Sequence, residues 1–410
     1  MIETAAIQKR VIRALVFAQI LGGIGLGATV SVGALLASDV SGSPAWSGMA
    51  ATMSTLGAAL IAVPLARAAQ ARGRRVALSI GSIVAALGAV LATFAAALGS
   101  FPLLLVGLAL AGAGSATNLQ ARFAATDLAV PLHRARQLSL VVWSTTIGAV
   151  LGPNLIEPGE LIGGAIGLPT LTGPFVFTVA AQVAAMLVYY FALRPDPLLT
   201  ALANAPAREG APPRHGFATL RVNALARYAV AAVALSHATM VAMMSMTPVH
   251  LYEHGATLII VGFALSLHIA GMYALSPAFG WLADRWGRIP TILFGQGMLV
   301  VSLLTAWVGS HSQVLVIVSV VFLGLGWSAS TIAGSTLVAE SAPVDDRAGL
   351  QGVSDLLMNS TAAVCGALAG PVLALVGYSG LGVVCLLLVA VVGFWSVRHL
   401  APARRPADIR

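Results

Sequence analysis

The chain has 410 residues, 58% of them hydrophobic and only 9% charged, against about a quarter charged in ordinary soluble domains; its mean hydropathy is +0.92. That excludes a soluble enzyme and a disordered scaffold, because so much apolar surface must be buried in lipid, where only helices or closed barrels satisfy the backbone. The formal net charge of +8 is dispersed over loops rather than gathered on one face, so it reports membrane topology and no nucleic-acid partner.

The apolar runs are about 20 residues long rather than alternating ten-residue segments, so the spans are helices. Roughly twelve are expected, starting near Val11, Ser47, Val76, Pro102, Leu138, Pro174, Asn223, Thr257, Pro290, Gln313, Leu350 and Leu381. The first follows Lys9, Arg10 and Arg13 and has the basic start of a signal peptide, but its apolar run continues to Ala37 and reads as a retained anchor. With the N-terminus inside, all 22 Lys and Arg fall on the cytoplasmic side. They cluster from Arg67 to Arg75, at Arg134 and Arg136, from Arg194 to Arg227 and from Arg398 to Arg410, while Asp39, Glu157, Glu160 and Glu253 face outward. Cytoplasmic loops retain Lys and Arg, so an even number of spans with both termini cytoplasmic is expected.

Residues 195–222, rich in proline and mixed charge, read as a cytoplasmic linker between a first bundle, 1–194, and a second, 223–410. The halves repeat each other. GAVLGP at Gly148 to Pro153 returns as GALAGP at Gly366 to Pro371, and Arg72 to Arg74 has its counterpart in Trp286 to Arg288. Parallel internal repeats are a transporter signature, with two bundles rocking about a midplane site.

GWLADRWGR, Gly280 to Arg288, resembles the loop motif of the major facilitator superfamily. The resemblance implies an all-α membrane fold of two pseudo-symmetric six-helix bundles. It further implies a charge cluster of Asp284 and Arg288 with Glu340, closing one face. The first-half copy, ARAAQARGRR from Ala66, is degenerate, with Gln70 in the acid's place and Asp127 as the corresponding partner.

Soft or polar residues deep in a span are the default substrate-site candidates. Span 7 reads HATMVAMMSMTPVH from His237 to His250, and span 8 adds His268 and Met272. Residues four apart lie about 40° apart around a helix, so Met240 and Met244 share a face, as do His268 and Met272. Neutral thioethers and imidazole suit Cu(I), whereas Zn(II) prefers thiolate or carboxylate. Taken singly, a methionine stripe is gap-filling packing or an adaptable apolar wall, and a membrane histidine is a hydrogen-bonding or proton-relay group. Met243 and Met246 lie about 80° and 140° from the shared face and read as packing.

MxxxM in helix 7 with HxxxM in helix 8 resembles the CcoA-like copper importers, a bacterial branch of the same superfamily that supplies copper for haem-copper oxidase assembly. The resemblance implies Met244 and His268 as principal ligands and Met240 and Met272 as supporting ones; His237, by its place one turn before Met240, is a separate candidate to complete the shell or relay protons. The resemblance also implies a copper ion as transported cargo, no prosthetic group, a cytoplasmic copper chaperone or acceptor, and a monomer in the bilayer. Members of that branch similar to riboflavin carriers lack these motifs, so fold alone does not fix the cargo.

Other residues receive smaller roles. His250, Glu253 and His254 stand at the outer mouth, Gln19 and Trp143 are candidates to line the cavity, and Asp355 is a candidate coupling acid. Asn118, Gln120, Arg122 and Asn359 read as cytoplasmic-end contacts, and Cys365 and Cys385 as small core residues. No nucleotide loop or activated nucleophile is present, so no enzyme activity is expected. Two rivals to copper import stand: a proton-coupled carrier of a small organic molecule, riboflavin-like or a drug, and a non-transporting membrane sensor.

Overall fold

In a computed structural model the described residues are 2–43, 46, 48–205 and 216–400, and every regular element among them is helical. The first half comprises α1 (Ile2–Ser41), α2 (Met49–Ala97), α3 (Phe101–Ala111), α4 (Ala113–Ala124), α5 (Arg134–Leu151), α6 (Ile156–Ala165) and α7 (Pro174–Ala192). Two short helices follow, α8 (Pro197–Ala203) and α9 (Gly216–Val222). The second half comprises α10 (Ala224–Glu253), α11 (Leu258–Tyr273), α12 (Ser276–Trp286), α13 (Arg288–Val308), α14 (Gln313–Glu340) and α15 (Val344–Leu400).

Nine described helical segments are long and apolar enough to cross a membrane. Two of them are pairs of crossings: α2 turns at Gly73 (φ +87°) and α15 at Gly377 (φ +71°), a left-handed conformation that glycine adopts without a Cβ clash. The pairs α3 with α4 and α11 with α12 each form one crossing. α5 stands outside the nine because Arg134, Arg136, Gln137 and its hydroxyl side chains dilute its apolar character. Dividing the two pairs and adding α5 restores the roughly twelve crossings that bilayer thickness demands.

Local chemistry sets the helix starts. Pro102, Pro174 and Pro197 stand in first turns, where the missing N–H costs nothing, and the Asn223 side chain accepts from Ala226 N at 3.0 Å. Asp196 opens α8 by accepting from Leu198 N and Leu199 N at 3.0 and 3.1 Å, while its other oxygen accepts from Arg75 N at 2.7 Å. One carboxylate therefore fastens the start of the linker to the turn inside α2. Residues 206–215 of that linker and 401–410 of the basic tail lie outside the described residues.

Within the first half α1 packs against α5 and α7, and within the second α10 packs against α14 and α15. The first GAxxGP copy makes a backbone-to-backbone contact: a Cβ on Gly148 would lie 2.5 Å from Gly23 C, and one on Gly152 2.5 Å from Gly27 Cα. In the second copy Gly366 faces the Val241 side chain at 3.1 Å and Gly370 has nothing within 4 Å. The sequence repeats; the packing does not. Large apolar side chains such as Leu60 and Leu387 point outward, 65% and 67% exposed, as a lipid-facing surface requires.

The halves meet where α2 packs on α15 and α5 on α12. Small residues allow it: Gly352 seats on Ala66, and Gly280 on Ser139. Both contacts lie toward the end that carries the arginine-rich turns, the basic face.

Candidate transport site and its basic-face closure

Asp284, Arg288 and Glu340 come together as one charged cluster. Gly287, at φ +102°, ends α12 and starts α13, which turns Arg288 back over the preceding helix. Its guanidinium donates to Asp284 at 2.7 Å and to both Glu340 oxygens at 3.2 and 2.9 Å. It also donates to Pro131 O at 2.9 Å, across the boundary between halves. The Asp284 carboxylate in turn accepts from Ala135 N at 3.2 Å and Arg136 N at 3.0 Å, so an acid of the second half sits on the positive N-terminal end of α5 in the first.

Asp127, the corresponding acid of the degenerate first-half copy, pairs with Arg74. Arg74, which follows the left-handed Gly73, is fully buried and donates through Nε to Asp127 at 2.8 Å and through Nη1 to Gln120 at 2.9 Å. Its Nη2 also donates to Gln351 of α15. Gln70, in the acid's place, donates to Asp345 O at 3.2 Å. The first-half copy thus crosses to the second bundle through the Gln351 amide and the Asp345 carbonyl.

Between the halves lies a cavity of ≈ 220 Å³. The first half lines it with Gln19 of α1, Asn118 and Arg122 of α4, and Thr145 of α5; the second with His237 of α10, Met272 and Tyr273 of α11, Trp327 and Thr331 of α14, and Met358 and Asn359 of α15. Trp327 Nε1 donates to His237 Nδ1 at 2.8 Å, which fixes the imidazole proton on Nε2. Tyr273 and Trp327 meet edge to face, with ring centroids 5.8 Å apart. At the cavity's basic end, Arg122 Nη2 donates to Asp355 of α15 at 2.6 Å, and Gln120 Nε2 donates to the other carboxylate oxygen at 3.2 Å.

Of the four expected metal ligands, only Met272 borders this cavity. Met240 and Met272 are buried in one apolar cluster with Val320, Leu323 and Trp327, and Met244 packs against it half-buried. His268 is buried beside α14: its Nδ1 donates to Val320 O at 2.8 Å, and its Nε2 has no hydrogen-bond partner. A Cβ on Gly324 would meet the backbone of α11 at His268 and Met272, and this close approach keeps the histidine away from the central cavity. Among the described residues no three His, Cys, Asp or Glu side chains gather as a metal site.

Several smaller expectations are redistributed. Gln19 lines the cavity, while Trp143 is 37% exposed and does not. Asn118, Arg122 and Asn359, read from sequence as end contacts, are wall residues. His250 stacks on Tyr378 at 4.2 Å and bonds through Nε2 to Ser310 O at 2.7 Å, a structural tie, whereas Glu253 and His254 are exposed. Sequence reading missed the Arg122 to Asp355 pair because its members are 233 positions apart. The available signal was two charges of opposite sign inside apolar spans of different halves.

Comparison with known proteins agrees with this architecture. The model of the Major Facilitator Superfamily matches residues 15–261 and 228–409. The chain is 39% identical over 402 residues, covering 96% of it and 92% of the relative, to the uncharacterized MFS-type transporter YddS of Bacillus subtilis (strain 168). It is 27% identical over 410 residues, covering 98% and 99%, to the riboflavin transporter RfnT of Brucella anthropi. The solved proton:xylose symporter XylE shares the fold with a TM-score of 0.75 at 11% identity, covering 96% of each chain. Neither named relative is described as a copper carrier, so the narrower resemblance to copper importers gains no support from them. A matching family model over nearly the whole length and a two-bundle membrane fold make this chain a member of the major facilitator superfamily.

Proposed function

We propose that the chain is a secondary transporter of the bacterial cytoplasmic membrane, both termini cytoplasmic, that carries a small organic solute by alternating access between bundles 1–194 and 223–410. The observation that carries this reading is the cavity itself, walled by hydrogen-bonding side chains from both halves and by the Tyr273 and Trp327 rings. At ≈ 220 Å³ it falls below the ~300–1,000 Å³ of drug-sized sites, which favours a small solute. The riboflavin carrier among the relatives supports an organic cargo. In this reading Asp284, Arg288 and Glu340, with Arg74 and Asp127, hold the basic face shut while the solute enters from the other side. The test is uptake by proteoliposomes of the pure protein under an imposed proton gradient, with riboflavin and a panel of small ring-bearing solutes. At least one accumulates, and the double variant Asn118→Leu with Asn359→Leu reduces it at least tenfold. Accumulation that is indifferent to both substitutions removes the cavity as the site.

A second reading, Cu(I) import for oxidase assembly with delivery to a cytoplasmic acceptor, is favoured by His268 alone. Its Nδ1–H is held by the Val320 carbonyl, so a buried Nε2 lone pair is left without a partner near the Met240 and Met272 cluster. Metal-binding histidines are oriented by such a carbonyl. Radiocopper uptake that falls in His268→Ala and Met244→Ala supports copper; equal uptake in wild type and both variants removes it.

A further inference from the structure

The cavity wall is asymmetric in hydrogen-bonding sense. Arg122 Nε and Asn118 Nδ2 are buried donors without a partner, and His237 presents its Nε2–H because Trp327 occupies Nδ1. Among the described wall residues the unpartnered acceptors are Gln19 Oε1 and the Thr331 hydroxyl, which can also donate. Unpartnered buried donors are costly, and two of them, one cationic, beside the His237 N–H call for an acceptor-rich guest.

Arg122 is only 2% exposed and its carboxylate partner belongs to the other half. Opening the basic face draws α15 away from α4 and with it Asp355 from Arg122. A buried arginine stripped of its carboxylate is strongly unfavourable, and Arg122 is itself a wall residue of the cavity with its Nε unpartnered. Building on the reading of this cavity as the solute site, we infer that Arg122 is the seat of an anionic group on the solute, and that the cargo is a small ring-bearing organic acid. Its carboxylate takes the Nε edge while Asp355 still holds Nη2, so the arginine remains compensated when the halves part. Asp355, fully buried, is faced by Arg122 of α4, by Arg74 of α2 and by the amide of Gln120. All three belong to the first half, so Asp355 parts from them only as the neutral acid: it takes a proton from the outer side while the solute's carboxylate, entering from that side, takes over Arg122, and it returns the proton to the basic side when the solute leaves and the pair re-forms. One solute anion and one proton then cross together and charge balances.

The experiment uses the full chain in detergent and in proteoliposomes, with benzoate as anionic probe and benzamide as its neutral isostere. Wild type binds benzoate in preference to benzamide. Asp355→Asn, which frees Arg122, tightens benzoate at least tenfold and leaves benzamide unchanged, yet loses accumulation driven by an acid-outside gradient. Arg122→Gln loses benzoate binding, with Arg122→Lys restoring part of it. Equal response to benzoate and benzamide in wild type and Asp355→Asn, or benzoate binding that survives Arg122→Gln, overturns the inference. The cavity reading survives that result if benzamide or riboflavin binding still fails in the Asn118→Leu and Asn359→Leu variant, and falls if these wall substitutions leave every probe unaffected.

Discussion

Arg74 and Arg288 occupy matching places in the two halves, each directly after a glycine at positive φ and each bonded to an acid from the crossing two spans on, Asp127 and Glu340. The surroundings differ by one swapped charge. α5 begins with Arg134 and Arg136 and takes its N-terminal acid from across the interface, Asp284. α15 begins with its own Asp345 and Asp346, and there the facing position is the neutral Gln70. Each helix start obtains negative charge once, which accounts physically for the degenerate first-half motif.

That account predicts opposite responses to acids at the two positions. Asp284→Ala lowers stability by about 1–3 kcal/mol, since it strips two backbone donors and Arg288 of a carboxylate. Gln70→Asp, which nominally restores the family pattern, is also destabilising, by about 1 kcal/mol, because it adds a third acid beside Asp345 and Asp346 and loses the donated bond. Thermal unfolding of the detergent-solubilised protein reads both; a stabilised Gln70→Asp contradicts the charge-swap account.

Glu340→Gln weakens the second-half closure without removing its shape. Arg288 and Glu340 are partly buried, their side chains 12% and 22% exposed, so the loss falls between surface and buried pairs at about 1–3 kcal/mol, or about 5–150-fold in the open population. Ser139, buried beneath Gly280, serves as the reporter. A Ser139→Cys thiol is expected to be alkylated from the basic side faster by that factor in Glu340→Gln. An unchanged rate means the cluster does not control the opening.

The two glycine motifs are predicted to behave differently despite their shared letters. Gly148→Ala drives a methyl into the Gly23 backbone and costs about 1–3 kcal/mol by overpacking. Gly370→Ala enters open space in a helix and is neutral or stabilising by up to about 1 kcal/mol. Unfolding midpoints of the two variants settle the comparison; equal losses would mean the second copy packs as the first does.

Met240→Leu with Met244→Leu keeps apolar volume and removes both thioethers, so stability changes by less than about 1.5 kcal/mol. Uptake of an organic solute is expected to persist within about twofold, because neither residue borders the cavity. A loss of organic uptake with unchanged stability would place the substrate path along that methionine face.

The sequence alone determined the all-helical membrane fold and placed Asp284 beside Arg288; Glu340, 52 positions beyond Arg288, joined them only through the family resemblance and the fold. The first two depend on local quantities: the cost of a polar backbone in lipid acts on each 20-residue window separately, and Asp284 and Arg288 are near neighbours in one turn. Helical spacing also put Met240 with Met244, and His268 with Met272, on shared faces. Only the tertiary structure decided what covers those faces. Periodicity names a side of a helix but not its neighbour, and the close approach of α14 at Gly324 buried His268 away from the space between the bundles. The same holds for Arg122 and Asp355: a contact between residues so far apart in the chain is set by how the bundles dock, which no local window encodes.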